Sequence, residues 1–197
     1  MTSRFHRYPS ATTEDIDSIL DRLRAVDAAE MRASGIDRDL VHQFVELSDY
    51  DVVVFDREND DAPVFAFGVL RHGSVAQLWG FGTDEAPAAL RSVIRWGLTH
   101  WLPDLFERYG IKRVEVRVPS WSVQSIQFLR RLGLRVECPD VYGLSSDGSA
   151  MTQLAYTIKE YESDYVLPVE SSGRAADRPS GAGRPADQDQ RRGAVGC

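Results

Sequence analysis

Apolar and polar positions alternate along the chain with two different periods. Ile16, Ile19, Leu20, Leu23 and Val26 recur at helical spacing behind Thr12 and Asp15, which stand at the interval of a capping box. Gly35 closes that run, so one apolar-faced helix is expected there, preceded by a short strand at Arg4–Tyr8 and by Pro9. Asp37 stands where it can cap a second helix carrying Leu40, Val41, Phe44 and Val45.

After Asp49 the period changes. The β-branched run Val52–Phe55, the polar turn Arg57–Ala62 and the run Val64–Leu70 predict a hairpin. His72–Ser74 turns the chain into a third strand, Val75–Phe81. Ala86–Tyr109 predicts a long helix that Pro103 kinks or splits, since proline removes a hydrogen bond and crowds the preceding turn. Gly110 ends it. Arg113–Val118 predicts a strand, Ser122–Leu132 a short helix ended by Gly133, and Leu134–Glu137 with Met151–Ile158 a last strand pair. The sum is an α/β chain: a mixed, mostly antiparallel twisted sheet flanked by helices.

Composition divides the chain in two. Residues 1–168 carry this pattern and form one expected domain. Residues 169–197 are rich in Ser, Gly, Ala, Pro and Arg, cannot bury enough to offset the entropy of ordering, and are expected to be a disordered tail. The net charge is −7, and because residues 171–197 hold five Arg against three Asp, the body is more acidic still. An acidic body argues against nucleic acid as a partner. No segment approaches the ~20 apolar residues that span a bilayer. The first residues, MTSRFHRYPSATTED, lack the apolar core of a secretory signal. Two cysteines, Cys138 and Cys197, make no disulfide framework and suit a reducing compartment.

The element order, with Ser122-Val-Gln-Ser-Ile-Gln-Phe-Leu-Arg-Arg-Leu-Gly-Leu134, resembles the GNAT acyltransferases, whose matching element is written N-x-x-A-x-x-F-Y-E-K-L-G-F. The resemblance implies the GNAT (acyl-CoA N-acyltransferase-like) fold. It places an acyl-CoA cleft where Val75–Phe81 and Arg113–Val118 splay apart, and its implied contacts are Leu78, Trp79, Gly80, Gly82, Thr83 and Ser122. A narrower set of segments is similar to the GNAT-like internal virion protein A family of short-tailed phages. These are Ala28–Gly35, Glu46-Leu-Ser48, Leu78-Trp-Gly-Phe-Gly-Thr-Asp84, Phe106-Glu-Arg-Tyr109 and Arg130-Arg-Leu-Gly133. That similarity implies a morphogenesis protein in the cytoplasm of an infected bacterium or inside the virion, with other virion proteins as partners and no cofactor.

The catalytic positions of the wider family are poorly matched. Its pyrophosphate turn, Q/R-x-x-G-x-G/A, aligns with Gly82-Thr-Asp-Glu-Ala-Pro-Ala-Ala89. Asp84 and Glu85 would oppose the anion by about 1–3 kcal/mol each at an effective dielectric near 20. Pro87 deletes an amide donor. An ordinary helix start explains the same residues, because acids and proline both favour the first turn. The family's asparagine and its tyrosine, the general acid for the departing thiolate, align with Ser122 and Leu129. Tyr142 could replace that tyrosine only if its loop folds back over the cleft.

Glu115 and His72 are candidate bases by residue type. The histidines at 6, 42, 72 and 100 show no metal-ligand spacing, and no zinc, nucleotide or hydrolase motif is present. The expectation is therefore a degenerate acetyltransferase fold acting through protein contacts in capsid or core assembly. The alternative is an acyl-CoA-dependent N-acyltransferase using acetyl-CoA, which requires an opening between the two cleft strands wide enough for pantetheine.

Overall fold

A computed structural model describes residues 4–159. The expected tail and Cys197 lie outside the described residues. Thr12 accepts the Asp15 amide and the Asp15 carboxylate returns to Thr12, forming the capping box that starts α1, Thr13–Asp21. Asp37 likewise accepts the Leu40 amide, at 2.9 Å, and starts α3, Arg38–Leu47.

Between them the expected single helix is broken in two. Helix α1 stops at Asp21 and α2, Ala25–Ala33, begins afresh. Leu23 forms a β-bridge with Thr83, and the Arg24 amide donates to Gly82 O at 3.0 Å. The helical period runs through this point in the sequence. A tertiary hydrogen bond to the end of a strand overrides it.

One sheet organises the chain. Its strands are β1 Phe5–Pro9, β2 Tyr50–Asp56, β3 Ala62–His72, β4 Val75–Gly82, β5 Arg113–Pro119, β6 Arg135–Val141 and β7 Met151–Thr157, in the order β1-β2-β3-β4-β5-β7-β6. Every neighbouring pair is antiparallel except β4 and β5. Helix α5, Val123–Arg131, follows β5.

The expected long helix after β4 is regular only as α4, Ala86–Trp96. Two π-helical segments follow, Gly97–Trp101 and Asp104–Arg108, on either side of Leu102–Pro103. Proline supplies no amide to the ladder, and widened turns accommodate its ring.

The alternation of each strand sends its side chains to two cores. On one face Phe65, Phe67, Leu78, Val116 and Val118 pack beneath α4, α5 and the buried Trp101. On the other, Val53, Ala66, Trp79 and Phe81 pack against Ile16, Ile19 and Val41 of α1 and α3.

Candidate functional site

Strands β4 and β5 are paired only at Val75–Arg113, Ala76–Val114 and Gln77–Glu115. Beyond these positions they separate, and the opening continues into a cavity of about 770 Å3 between α4 and α5. That volume lies within the range of small-molecule sites. Leu78, Gly80, Val116 and Val118 line its floor, with Phe65 and Phe67 alongside. Leu90, Val93 and Gly97 line it from the α4 side, and Ser125, Phe128 and Leu129 from α5. A Cβ on Gly97 would stand 2.8 Å from a Leu132 methyl, so glycine lets α5 close against the helix there.

The strand backbone is turned into this gap. Thr83 N–H donates to Val64 O of β3 at 2.9 Å, so Gly82, Gly80 and Leu78 present their polar groups on the other side, where β5 has left. Gly80 is itself exposed. Trp101 is fully buried, lines the cavity, and has an indole N–H without a hydrogen-bond partner among the described residues. Buried donors are normally paired, and this one is enclosed in the core with no accessible surface toward the opening.

Because the chain breaks at Leu23–Arg24, α2 lies under the opening and brings Arg24, Asp27 and Glu30 into the lining. The three stand at successive intervals of three, on one side of the helix. Asp27, nearly fully buried, is ion-paired with Arg24 and accepts the Gly82 amide at 2.7 Å. The Glu30 carboxylate accepts the hydroxyls of Ser122 and, at 2.6 Å, Ser125 at the start of α5. Burial raises the Glu30 carboxyl above its ordinary value, with the two hydroxyls and Arg24 pulling the other way and Asp27 adding to the rise. A carboxylate held above its normal range in an open cleft is suited to accept a proton.

Of the positions expected to touch a cofactor, Leu78, Trp79 and Gly80 border the cavity, although Trp79 sends its ring to the opposite core, where its indole N–H donates to Ser48 at 2.8 Å. Gly82 gives its amide to Asp27. Thr83 is fully buried and donates its hydroxyl to Glu85 at 2.5 Å, which with the Glu85 amide lowers the Glu85 carboxyl. Ser122 is buried against Glu30.

The expected acid–base candidates stand elsewhere. Glu115 is held by Arg113 at 2.8 Å and falls between Val114 and Val116, hence on the sheet face opposite the cavity floor. Tyr142 is 73% exposed in the loop after β6, which packs on the end of α2 through Ser146, and it is not among the residues lining the cavity. His72 is exposed at the end of β3. Leu129 is buried in the cavity wall, where it offers no proton.

The Arg-x-x-Asp-x-x-Glu spacing of Arg24, Asp27 and Glu30 was the available sequence signal for the acidic side of the cleft. Its meaning depends on the helix break, which the periodicity conceals.

Solved structures share this architecture. A spermidine N-acetyltransferase from Vibrio cholerae, in complex with CoA and spermine, aligns over 81% of this chain and 99% of its own, with a TM-score of 0.61 and 10% identity. An aminoglycoside N(6')-acetyltransferase from Legionella pneumophila aligns over 83% and 98%, with a TM-score of 0.57 and 9% identity. A Bacillus subtilis acetyltransferase in complex with CoA aligns over 78% and 97%, with a TM-score of 0.52 and 11% identity. The chain has the GNAT fold. No protein-family model and no curated protein matches the sequence.

Proposed function

We propose that this chain is an N-acyltransferase that takes its acyl group from a pantetheine thioester lying in the cleft between β4 and β5. The observation that carries this is the separation of the two strands after Gln77 and Glu115, which opens a largely apolar channel with strand backbone on its wall. The described relatives of the same fold are acetyltransferases, two of them in complex with CoA. A fold does not by itself confer activity, so the geometry of the cleft is the stronger support.

The pantetheine arm fits the apolar channel. The diphosphate of CoA does not fit the turn at its head, so nothing is assigned to hold it there. The thioester, when bound, supplies an activated acyl carbon. Gly80 N–H, on the strand edge that β5 leaves, would polarise the acyl oxygen. The acceptor amine enters from the α2 side, where Glu30 faces the opening and Asp27 is already paired with Arg24. The acceptor attacks as the neutral amine, and Glu30 takes the one proton it loses as the C–N bond forms and the C–S bond breaks. The departing thiolate takes a proton from water, because Leu129 has none to give.

The test is thiol release from acetyl-CoA and acetyl-pantetheine against a panel of primary amines, with calorimetry on the same samples. Amine-dependent thiol release supports the assignment. Absence of both heat and thiol release at millimolar thioester overturns it.

A non-catalytic role in virion assembly, in the infected cell or the virion interior, is the second proposal. It is favoured by the turn after β4, where Asp27 and Glu85 stand in the place of an anion. It predicts capture of a virion protein partner and no binding of any thioester.

A further inference from the structure

The turn at the head of the cleft has little left to give an anion. Gly82 N–H donates to Asp27 at 2.7 Å, Thr83 N–H to Val64 O at 2.9 Å, and Glu85 N–H to its neighbour Thr83 Oγ1 at 3.3 Å. Ala86 N–H donates to Thr83 O at 3.0 Å, Pro87 has no N–H, and Ala88 N–H donates to Glu85 O at 3.1 Å. A helix start binds phosphate through free amides, and those of Glu85, Ala86 and Ala88 are spent. Three carboxylates stand at the same turn: Asp27, already paired with Arg24, and the exposed Asp84 and Glu85. The two linked phosphates of a nucleotide-bearing thioester would meet them.

The charge changes sign along the same cavity. Helices α4 and α5 contain no Asp or Glu, in a chain of net charge −7, and carry Arg91, Arg95, Arg130 and Arg131. Arg91 and Arg131 line the cavity from the two helices, beside Gln124 and Gln127. Both are exposed, and neither guanidinium has an ion pair or hydrogen bond among the described residues. Arg95 lies one turn from Arg91 and extends the basic strip along α4.

From this contrast we infer that the acyl donor is a 4'-phosphopantetheine thioester borne by an acidic carrier protein, not the free nucleotide-bearing thioester. The inference rests on the thioester function proposed above and specifies its donor. The arm enters between α4 and α5, and its single phosphodiester is met by Arg91 and Arg131, whose planar forks suit a phosphate. No diphosphate has to occupy the acidic turn. The acidic surface of the carrier docks on the arginine strip of the two helices, an arrangement in which complementary charge selects the partner. The acidic remainder of this chain repels the same carrier and thereby restricts it to this face.

The experiment is calorimetry on the full chain, with acetylated carrier protein, S-acetyl-4'-phosphopantetheine, acetyl-CoA and the carrier lacking its arm, each at low and moderate salt. The acetylated carrier is expected to bind at least about tenfold more tightly than acetyl-CoA and to weaken as salt is added. The free arm is expected to fall between them. Arg91→Glu with Arg131→Glu is expected to lose that preference while the melting temperature holds, because both positions are exposed.

Acetyl-CoA binding as tightly as the acetylated carrier overturns the carrier inference and leaves the thioester function standing. Equal binding by the carrier without its arm also overturns it. Silence from all three thioesters overturns the underlying function as well.

Discussion

Gly80 and Gly82 lie two residues apart on one strand and point their amides the same way, yet they meet opposite surroundings. Gly80 faces a gap left by β5, whereas Gly82 is held by the buried carboxylate of Asp27. The channel has kept its backbone donors available, and the turn beyond it has consumed them. Strand geometry alone does not make a site. What decides it is whether a neighbouring element covers the strand, and here that element is α2, placed by the break at Leu23–Arg24.

Four variants sharpen or break this contrast. The largest effect is expected for Glu30→Gln, which should lower the transfer rate by about 10^2–10^4-fold in a thiol-release assay while calorimetric thioester binding is retained. Full activity in this variant would remove Glu30 as the base. Asp27→Ala should come next, destabilising the fold by about 3–5 kcal/mol in a denaturant titration, because it leaves Arg24 and the Gly82 amide without their buried partner. A near-neutral result would mean that the ion pair does not hold α2 in place.

Gln127→Trp, at an exposed position in the channel wall, should weaken thioester binding by about tenfold or more without shifting the melting temperature. Unchanged binding would place the ligand elsewhere. Asp84→Asn with Glu85→Gln should improve acetyl-CoA affinity by about fivefold or more per charge and leave S-acetyl-pantetheine unaffected. Equal gains for both ligands would dissolve the distinction between turn and channel.

The smallest expected effect is one of pH. The Glu30 carboxyl is raised above 4.5 in the folded chain, so the native state holds its proton more firmly than the unfolded one. Its contribution to stability is complete below that ordinary value and is lost as pH rises through the folded one. Glu30→Gln should therefore gain stability on the parent as pH increases from acid to neutral, followed by the difference in melting temperature. A difference that does not change with pH would show Glu30 to be solvated.

The fold was legible because its main signals are local. The capping box at Thr12, the cap at Asp37, the hairpin runs and the glycines that close helices each act within a few residues. The division of one apolar run into α1 and α2 was not legible, since Ile16 through Val26 keep the helical period while a contact from Thr83, distant in sequence, interrupts it. The widened turns after Trp96 leave no period of their own, although Pro103 announced a disturbance.

At the site, Leu78, Trp79 and Gly80, positions implied by the family resemblance, border the cavity, whereas nothing in that resemblance pointed to Glu30. It reaches the cleft through the helix break and is fixed by Ser122 and Ser125, residues remote from it in the chain. Glu115 attracted notice as a strand carboxylate, and its position in the alternation sends it to the other face.

The central claim is that the channel between β4 and β5 holds a pantetheine thioester. Nuclear magnetic resonance of the isotope-labelled full chain, titrated with S-acetyl-4'-phosphopantetheine, tests it most directly. Saturable shifts concentrated at Gly80, Val116 and Gln127 are the predicted result. An unchanged spectrum, or shifts confined to residues outside the channel, would contradict it.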